Sequence, residues 1–211
     1  MSKLNDIMVF YQNAVKQIKL TGSIAPSSSH LAGAITSCIE SHNQPLHILE
    51  AGPGTGPFTR VLAQKMGPAD QLDLCELNPT FVQHLQRIIR TEPVFRRCQD
   101  RIHIYNKPVQ ELEGEQQYDY IISGLPFNNF PPSLVEDILS VFERLIKPGG
   151  KLSFFEYYKI RYVKKPFVSR VERRRIEQHQ NVLHRLLNTH EEKRIIVGRN
   201  LPPAVVYVCK F

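Results

Sequence analysis

The chain has little sulfur and no run of apolar residues long enough to leave water. Its four cysteines, Cys38, Cys75, Cys98 and Cys209, contain no Cys-x-x-Cys pair, and Cys75 and Cys209 fall in strand-like runs where a small apolar side chain fits. They read as reduced thiols of a cytoplasmic protein. The first residues are interrupted by Asp6, Gln12, Asn13 and Lys16, which excludes a signal peptide or a spanning helix there. His179, His184 and His190 stand five and six residues apart, too wide for ligands on one helical face, so no metal site is expected.

What is present suits one three-layer domain: 211 residues, 42% hydrophobic and 22% charged. The net charge of +7 is unevenly placed. Residues 1–158 carry 14 Lys/Arg against 16 Asp/Glu, whereas residues 159–211 carry 13 against 4. A basic C-terminal quarter on a slightly acidic body points to an anionic partner for that end, either nucleic acid or an acidic membrane surface. The densest part holds Lys159, Arg161, Lys164, Lys165, Arg170, Arg173, Arg174 and Arg175 with only Glu172 opposing, and Tyr162 and Phe167 are interleaved.

The most informative stretch runs from His47 to Arg60. Leu46, Ile48 and Leu49 predict a short buried strand, and Gly52, Gly54 and Gly56 predict a bend with backbone amides bare enough to receive a nucleotide. Glu50 lies two residues before the first glycine. The third glycine comes one position earlier than in the dinucleotide fingerprint, so the spacing favours a different nucleotide. A second strand, Gln71–Cys75, ends in Glu76, whose two oxygens suit both hydroxyls of a ribose.

Around these the chain alternates. Leu4, Ile7, Met8, Tyr11, Val15 and Ile18 recur at helical spacing, which predicts an amphipathic first helix, packed on the domain or lying in membrane headgroups beside Lys3, Lys16 and Lys19. Gly22 and Pro26 end it, and the serines after them cap a second helix through about Ile39. Helices follow over about 58–66, 79–90, 133–146 and on to about Asn188, with strands over 101–105, 118–122, 151–157, 195–197 and 204–209. Lys147-Pro148-Gly149-Gly150 reads as a stop and turn. Strand-helix alternation implies a parallel sheet with the ligand at the carboxyl ends of its strands, closed here by an antiparallel final pair.

The glycine loop with Glu50 and Glu76 resembles the S-adenosylmethionine site of class I methyltransferases, whose fold is a Rossmann-like α/β seven-stranded sheet with helices on both faces. Three further motifs, Gly-Ser-Ile-Ala-Pro-Ser-Ser (22–28), Gly-Leu-Pro-Phe (124–127) followed by Asn-Phe-Pro-Pro, and Asn-Leu-Pro-Pro-Ala (200–204), are similar to those of bacterial phospholipid N-methyltransferases. The resemblance implies an N-terminal helical segment over 1–40, serving the membrane or as a substrate lid, and a methyltransferase domain over 41–211 with a basic insertion at about 159–190. It implies S-adenosylmethionine as cofactor, with no metal, bound by Glu50, Gly52, Gly54, Gly56, Glu76, Leu77, Val109, Ser123, Gly124 and Leu125. The acid that many relatives place after the third strand is replaced by Asn106-Lys107-Pro108-Val109-Gln110, which leaves backbone groups near Val109 to meet the adenine.

The expected reaction is successive methylation of the amine of phosphatidylethanolamine towards phosphatidylcholine, by a monomer held peripherally at the inner face of the cell membrane. Methyl transfer from an activated sulfonium needs an aligned amine and no nucleophilic residue, which agrees with the lack of a nucleophile triad. Glu156, Tyr157 and Tyr158 are candidates to take the ammonium proton or to cradle the cation. Lys159 and Arg161 are placed to meet the lipid phosphate, and Tyr11, Ser27 and Phe127 to meet substrate or membrane. An RNA adenine dimethylase shares the glycine loop and the Leu-Pro-Phe turn. Amino-directed enzymes of that kind put Asn where this chain has Gly124, and basic and aromatic residues suit a single strand as well as a membrane. A non-catalytic methyltransferase-like module is the third option, and Glu76 argues against it.

Overall fold

The strands β1 (His47–Ala51), β2 (Gln71–Cys75), β3 (Ile102–Tyr105), β4 (Tyr118–Ser123), β5 (Ile146–Tyr157), β6 (Glu191–Val197) and β7 (Ala204–Lys210) form one sheet in the order β3-β2-β1-β4-β5-β7-β6. All neighbours pair in parallel except those of β7, which runs antiparallel to both β5 and β6. The computed structural model describes residues 28–157, 170–200 and 202–211. The expected first helix, Tyr11, Ser27, Tyr158, Lys159, Arg161 and the basic stretch up to residue 169 lie outside the described residues.

Among the described residues, five α-helices cover the sheet. On one face lie α1 (Ser29–Ile35), α2 (Pro57–Lys65) and α3 (Pro79–Thr91), whose Leu31, Ile35, Leu62, Leu85 and Ile88 pack with Ile48, Leu72, Leu74 and Val206. On the other lie α4 (Pro132–Leu145) and α5 (Arg170–His190), where Val135, Ile138, Phe142, Val182 and Leu183 meet Leu49, Ile121, Leu152 and Phe154. The central strand feeds both cores in alternation, as period-two side chains require. Ile48, Leu49 and Ala51 are all fully buried.

Local chemistry sets the ends of the helices. Ser28 Oγ accepts the Leu31 amide to cap α1, and Asn78 Oδ1 accepts the Thr80 amide to cap α3, with Pro79 in its first turn. The helix α1 stops at Ile35, short of the expected Ile39, because the Thr36 hydroxyl joins its amide on the Ala32 carbonyl and a turn follows. Residues 147–150, expected as a turn, already belong to β5, with Gly149 at φ +80° and its amide on the Phe211 carbonyl. The ladder to β4 slips there, between Tyr118 and Tyr120. Among the described residues no helix is long and apolar enough to cross a membrane.

Beneath the site a buried carboxylate joins four strands. Asp73 on β2 accepts from Tyr118 Oη at 2.8 Å and lies 3.0 Å from His47 Nε2 and 3.1 Å from His103 Nδ1. Burial works to raise its pKa, yet these partners together hold the carboxyl below its ordinary range.

Candidate active site

The sheet order reverses between β1 and β4, and the crevice at their carboxyl ends is where an open α/β sheet receives a ligand. Ala51 and Ser123 are paired, so Gly52 and Gly124 leave the sheet side by side, with the Gly124 amide on the Ala51 carbonyl at 2.8 Å. A Cβ at position 124 would stand 2.6 Å from the Gly52 carbonyl oxygen. No side chain can occupy this position while the two loops touch.

The three glycines of the bend all have positive φ, but they serve different ends. A Cβ on Gly56 would meet Ile88 Cδ1 at 2.9 Å, so that glycine lets α2 start against α3. Only Gly54 faces open space, with nothing within 4 Å. Nor are the loop amides bare as the sequence suggested: Gly52 donates to the Cys75 carbonyl at 2.9 Å, Gly56 to the Pro53 carbonyl at 2.9 Å, and Gly54 to Glu76 Oε2 at 3.0 Å. The buried Glu76 also accepts the Asn78 amide on Oε1 at 2.8 Å. It therefore ties the glycine bend to the start of α3.

Beside Glu76 opens a cleft of about 380 Å³, partly continuous with solvent, lined by Gly52, Cys75, Leu77, Val109, Leu125 and Phe130 among others. Its walls are largely apolar, as a flat aromatic base requires. Asn106, in the place of the missing acid, is spent on the backbone: its Nδ2 donates to the Glu76 carbonyl at 2.9 Å and the Leu77 carbonyl at 3.1 Å. Gln110 was passed over in the sequence, yet it lines the cleft and its Nε2 is buried with no hydrogen-bond partner. The Cys75 thiol, pushed up to about 12 by burial, is inert.

Glu50 is the other unusual group. It is fully buried on the α2 side of β1, and neither carboxyl oxygen has a hydrogen bond, although Thr59 lies close enough to favour its ionised form. Burial pushes the carboxyl up to about 8, and the charge of Glu76 adds to the rise. An acid kept this way suits a cationic ligand.

On the acceptor side, β4 opens into a turn whose parts are fixed separately. Leu125 lines the cleft, and Phe127 is fully buried against Phe154 at 5.6 Å between ring centres. Phe127 thus anchors the turn and offers no surface to a lipid, contrary to expectation. Asn128, which sequence reasoning did not single out, donates to Glu156 Oε1 at 2.6 Å and accepts the Tyr157 amide at 3.3 Å in the amide orientation that satisfies both. Glu156 and Tyr157 are consecutive on β5 and face opposite sides of the sheet, Tyr157 packing edge-on against Phe155. Burial holds the Tyr157 phenol above its ordinary value. At neutral pH it keeps its proton, so of these two only Glu156 is suited to accept one.

The outlying motifs also meet. The Ser28 amide donates to Asn200 Oδ1 at 3.2 Å, and Asn200 Nδ2 donates to the Pro202 carbonyl at 2.7 Å, joining the start of α1 to the loop between β6 and β7. Only the pairing of residues 172 apart makes Asn200 intelligible.

A sequence pattern described as a methyltransferase domain matches residues 48–150. The ornithine lipid N-methyltransferase of Singulisphaera acidiphila is 26% identical over 98% of this chain and 97% of its own length. The tRNA1(Val) (adenine(37)-N6)-methyltransferase of Dyadobacter fermentans is 29% identical over 50% of this chain, which spans about half of that protein. Among solved structures, the 1,6-didemethyltoxoflavin-N1-methyltransferase of Burkholderia thailandensis, with S-adenosylhomocysteine bound, has a TM-score of 0.63 at 12% identity, covering 100% of this chain and 91% of that one. The residues here fit S-adenosylmethionine: an open cradle at Gly54, the Glu76 carboxylate, an apolar slot with an unpaired amide, and a buried acid without a partner. With its sheet order and cleft, the chain has the Rossmann-like methyltransferase fold, and the domain match and its lipid-methylating relative mark it as an S-adenosylmethionine-dependent methyltransferase.

Proposed function

We propose that the chain methylates the headgroup amine of a membrane lipid, phosphatidylethanolamine and its partly methylated forms, towards phosphatidylcholine. The observation that carries this reading is the contact between Gly124 and Gly52. An enzyme that aligns a planar base amine by an Asn at this position needs room for an amide, and here a Cβ alone would stand 2.6 Å from the Gly52 carbonyl oxygen. A flexible aliphatic amine needs no such planar clamp. The end-to-end likeness to a protein named as a lipid N-methyltransferase, against half-length likeness to one named for tRNA, supports the same choice.

The cofactor, when bound, supplies a methyl group already activated on a sulfonium. The chain then has to bind, orient and deprotonate. Glu76 and the cleft hold the nucleoside, Glu50 meets positive charge, and the rigid turn from Gly124 to Phe130 sets the approach of the acceptor. Alignment within about 3–3.5 Å of the methyl carbon supplies much of the rate. Glu156, held by Asn128, is the group suited to accept the ammonium proton. The basic stretch from Lys159 to Arg175 adds about 1 kcal/mol per cation at an anionic leaflet, which keeps the protein peripheral to the membrane.

The test is incubation with methyl-labelled S-adenosylmethionine and separate pools of phosphatidylethanolamine, ornithine lipid and RNA. Label in phosphatidylethanolamine is expected. Label confined to ornithine lipid would replace the headgroup, and label in RNA would refute the lipid reading.

A further inference from the structure

The helix α5 carries a buried polar side chain, His179, beside its apolar stripe. His179 lies three and four residues before Val182 and Leu183, on the helix face that enters the core, and it is 1% exposed. Its Nε2 is 2.7 Å from the carbonyl oxygen of Phe127. A carbonyl can only accept, so Nε2 carries the hydrogen.

That carbonyl sits at the middle of the acceptor turn. It also accepts the Phe130 amide at 3.0 Å, which closes the short helical turn over Phe127–Asn129. The second bond, from His179, comes from a different layer of the protein. The turn is thus held at three places: Gly124 on the Ala51 carbonyl, Asn128 on Glu156 and the Tyr157 amide, and Phe127 on His179. The first two belong to the sheet. His179 ties the turn to α5, whose first turns carry Arg170, Arg173, Arg174 and Arg175 in sequence.

We propose that His179 is a positioning residue for methyl transfer: through the Phe127 carbonyl it sets the acceptor turn against α5, and so joins the arginine-bearing start of that helix to the place where the amine is aligned. The proposal rests on the acceptor role given to this turn above. The turn can form without His179, because the Phe130 amide still closes it. What is lost is its placement, and a displacement of about 1 Å near a reacting centre costs on the order of 100-fold in rate.

The test compares His179→Leu, which fills the space without a donor, with His179→Gln, whose amide nitrogen reaches about where Nε2 lies. The full chain is used with phosphatidylethanolamine in anionic vesicles. In His179→Leu the expected result is a fall in kcat of about 10- to 100-fold with S-adenosylhomocysteine affinity within about twofold of the parent, and His179→Gln should recover most of the loss. Hydrogen exchange of a peptide spanning residues 125–131 should quicken in the Leu variant and return in the Gln variant, while that of residues 46–60 stays as in the parent. Equal kcat in the two variants, or unchanged exchange across the turn in the Leu variant, would overturn the proposal. If the parent protein methylates no lipid, the headgroup reading fails by itself, and the exchange comparison still decides the role of His179.

Discussion

Replacing Glu50 by glutamine should change how stability depends on pH, and by an amount the structure fixes. In the unfolded chain this carboxyl ionises near 4.5, and in the fold burial pushes it up to about 8. Below the first value both states hold the proton and the site contributes nothing. Between the two the unfolded chain releases a proton that the folded one keeps, so stability falls as pH rises, by about 1.4 kcal/mol per unit, and levels off above 8. Between pH 5 and pH 7 the loss amounts to about 2–3 kcal/mol. Glu50→Gln keeps the shape and removes the titration. Chemical denaturation of both proteins across pH 5 to 7 should show the variant gaining on the parent by that amount, whatever constant offset the buried amide adds. A gap that does not widen with pH would mean that Glu50 ionises normally in the fold. The same acid predicts linkage to the cofactor, because a cation beside it draws out its proton. At pH 7, calorimetry in buffers of different ionisation enthalpy should record release of up to about one proton on binding S-adenosylmethionine, and none in Glu50→Gln.

Glu76→Ala removes the acceptor of both the Gly54 and Asn78 amides, so cofactor affinity should fall at least tenfold while the fold survives; an unchanged calorimetric affinity would refute the sugar-clamp assignment. Gln110→Leu, which replaces the buried unpaired amide in the cleft, should weaken S-adenosylhomocysteine by about tenfold and its inosine analogue far less. Equal losses for the two ligands would show that the amide does not read the base. Tyr118→Phe takes one of three partners from the buried Asp73 carboxylate and should cost about 1.5–3 kcal/mol at neutral pH. Because the partners lower that pKa, the cost should shrink as acid protonates Asp73, and a loss that persists undiminished at low pH would argue against the carboxylate as the cause.

The scaffold was readable because its signals are local. The period-two run of β2, the capped start of α3 and the spacing of the glycines each lie within one element, and local preference there agrees with the fold. The site was readable only in outline. Three glycines look alike in sequence, but their neighbours separate them: Gly56 makes room for Ile88 and Gly54 faces open space. Bare amides were a fair reading of a glycine bend, and it failed because the chain folds Glu76 back onto Gly54 from 22 residues away. Gln110, Asn128 and His179 carry no motif; each acquires a role only from a partner or cavity built by another element. The two consecutive side chains Glu156 and Tyr157 were grouped by proximity in the chain, and the strand's alternation sends them to opposite faces of the sheet, Tyr157 against the core that holds Phe155.

The contact between Gly52 and Gly124 links cofactor and acceptor in one constraint. Gly52 is held at φ +71° with its amide on the Cys75 carbonyl, so its own carbonyl cannot swing away without breaking the bend that receives the nucleoside. Gly124 is held by the Ala51 carbonyl of the same strand. A side chain at position 124 would therefore be accommodated only at the expense of the Gly52 loop, and the choice of glycine there couples a tight bend after β1 to a turn with no side-chain amide at that position. The selectivity proposed above, for a flexible amine over a planar base, would then follow from sheet packing: a residue that could clamp a base has no room at position 124 because the Gly52 loop fills its place.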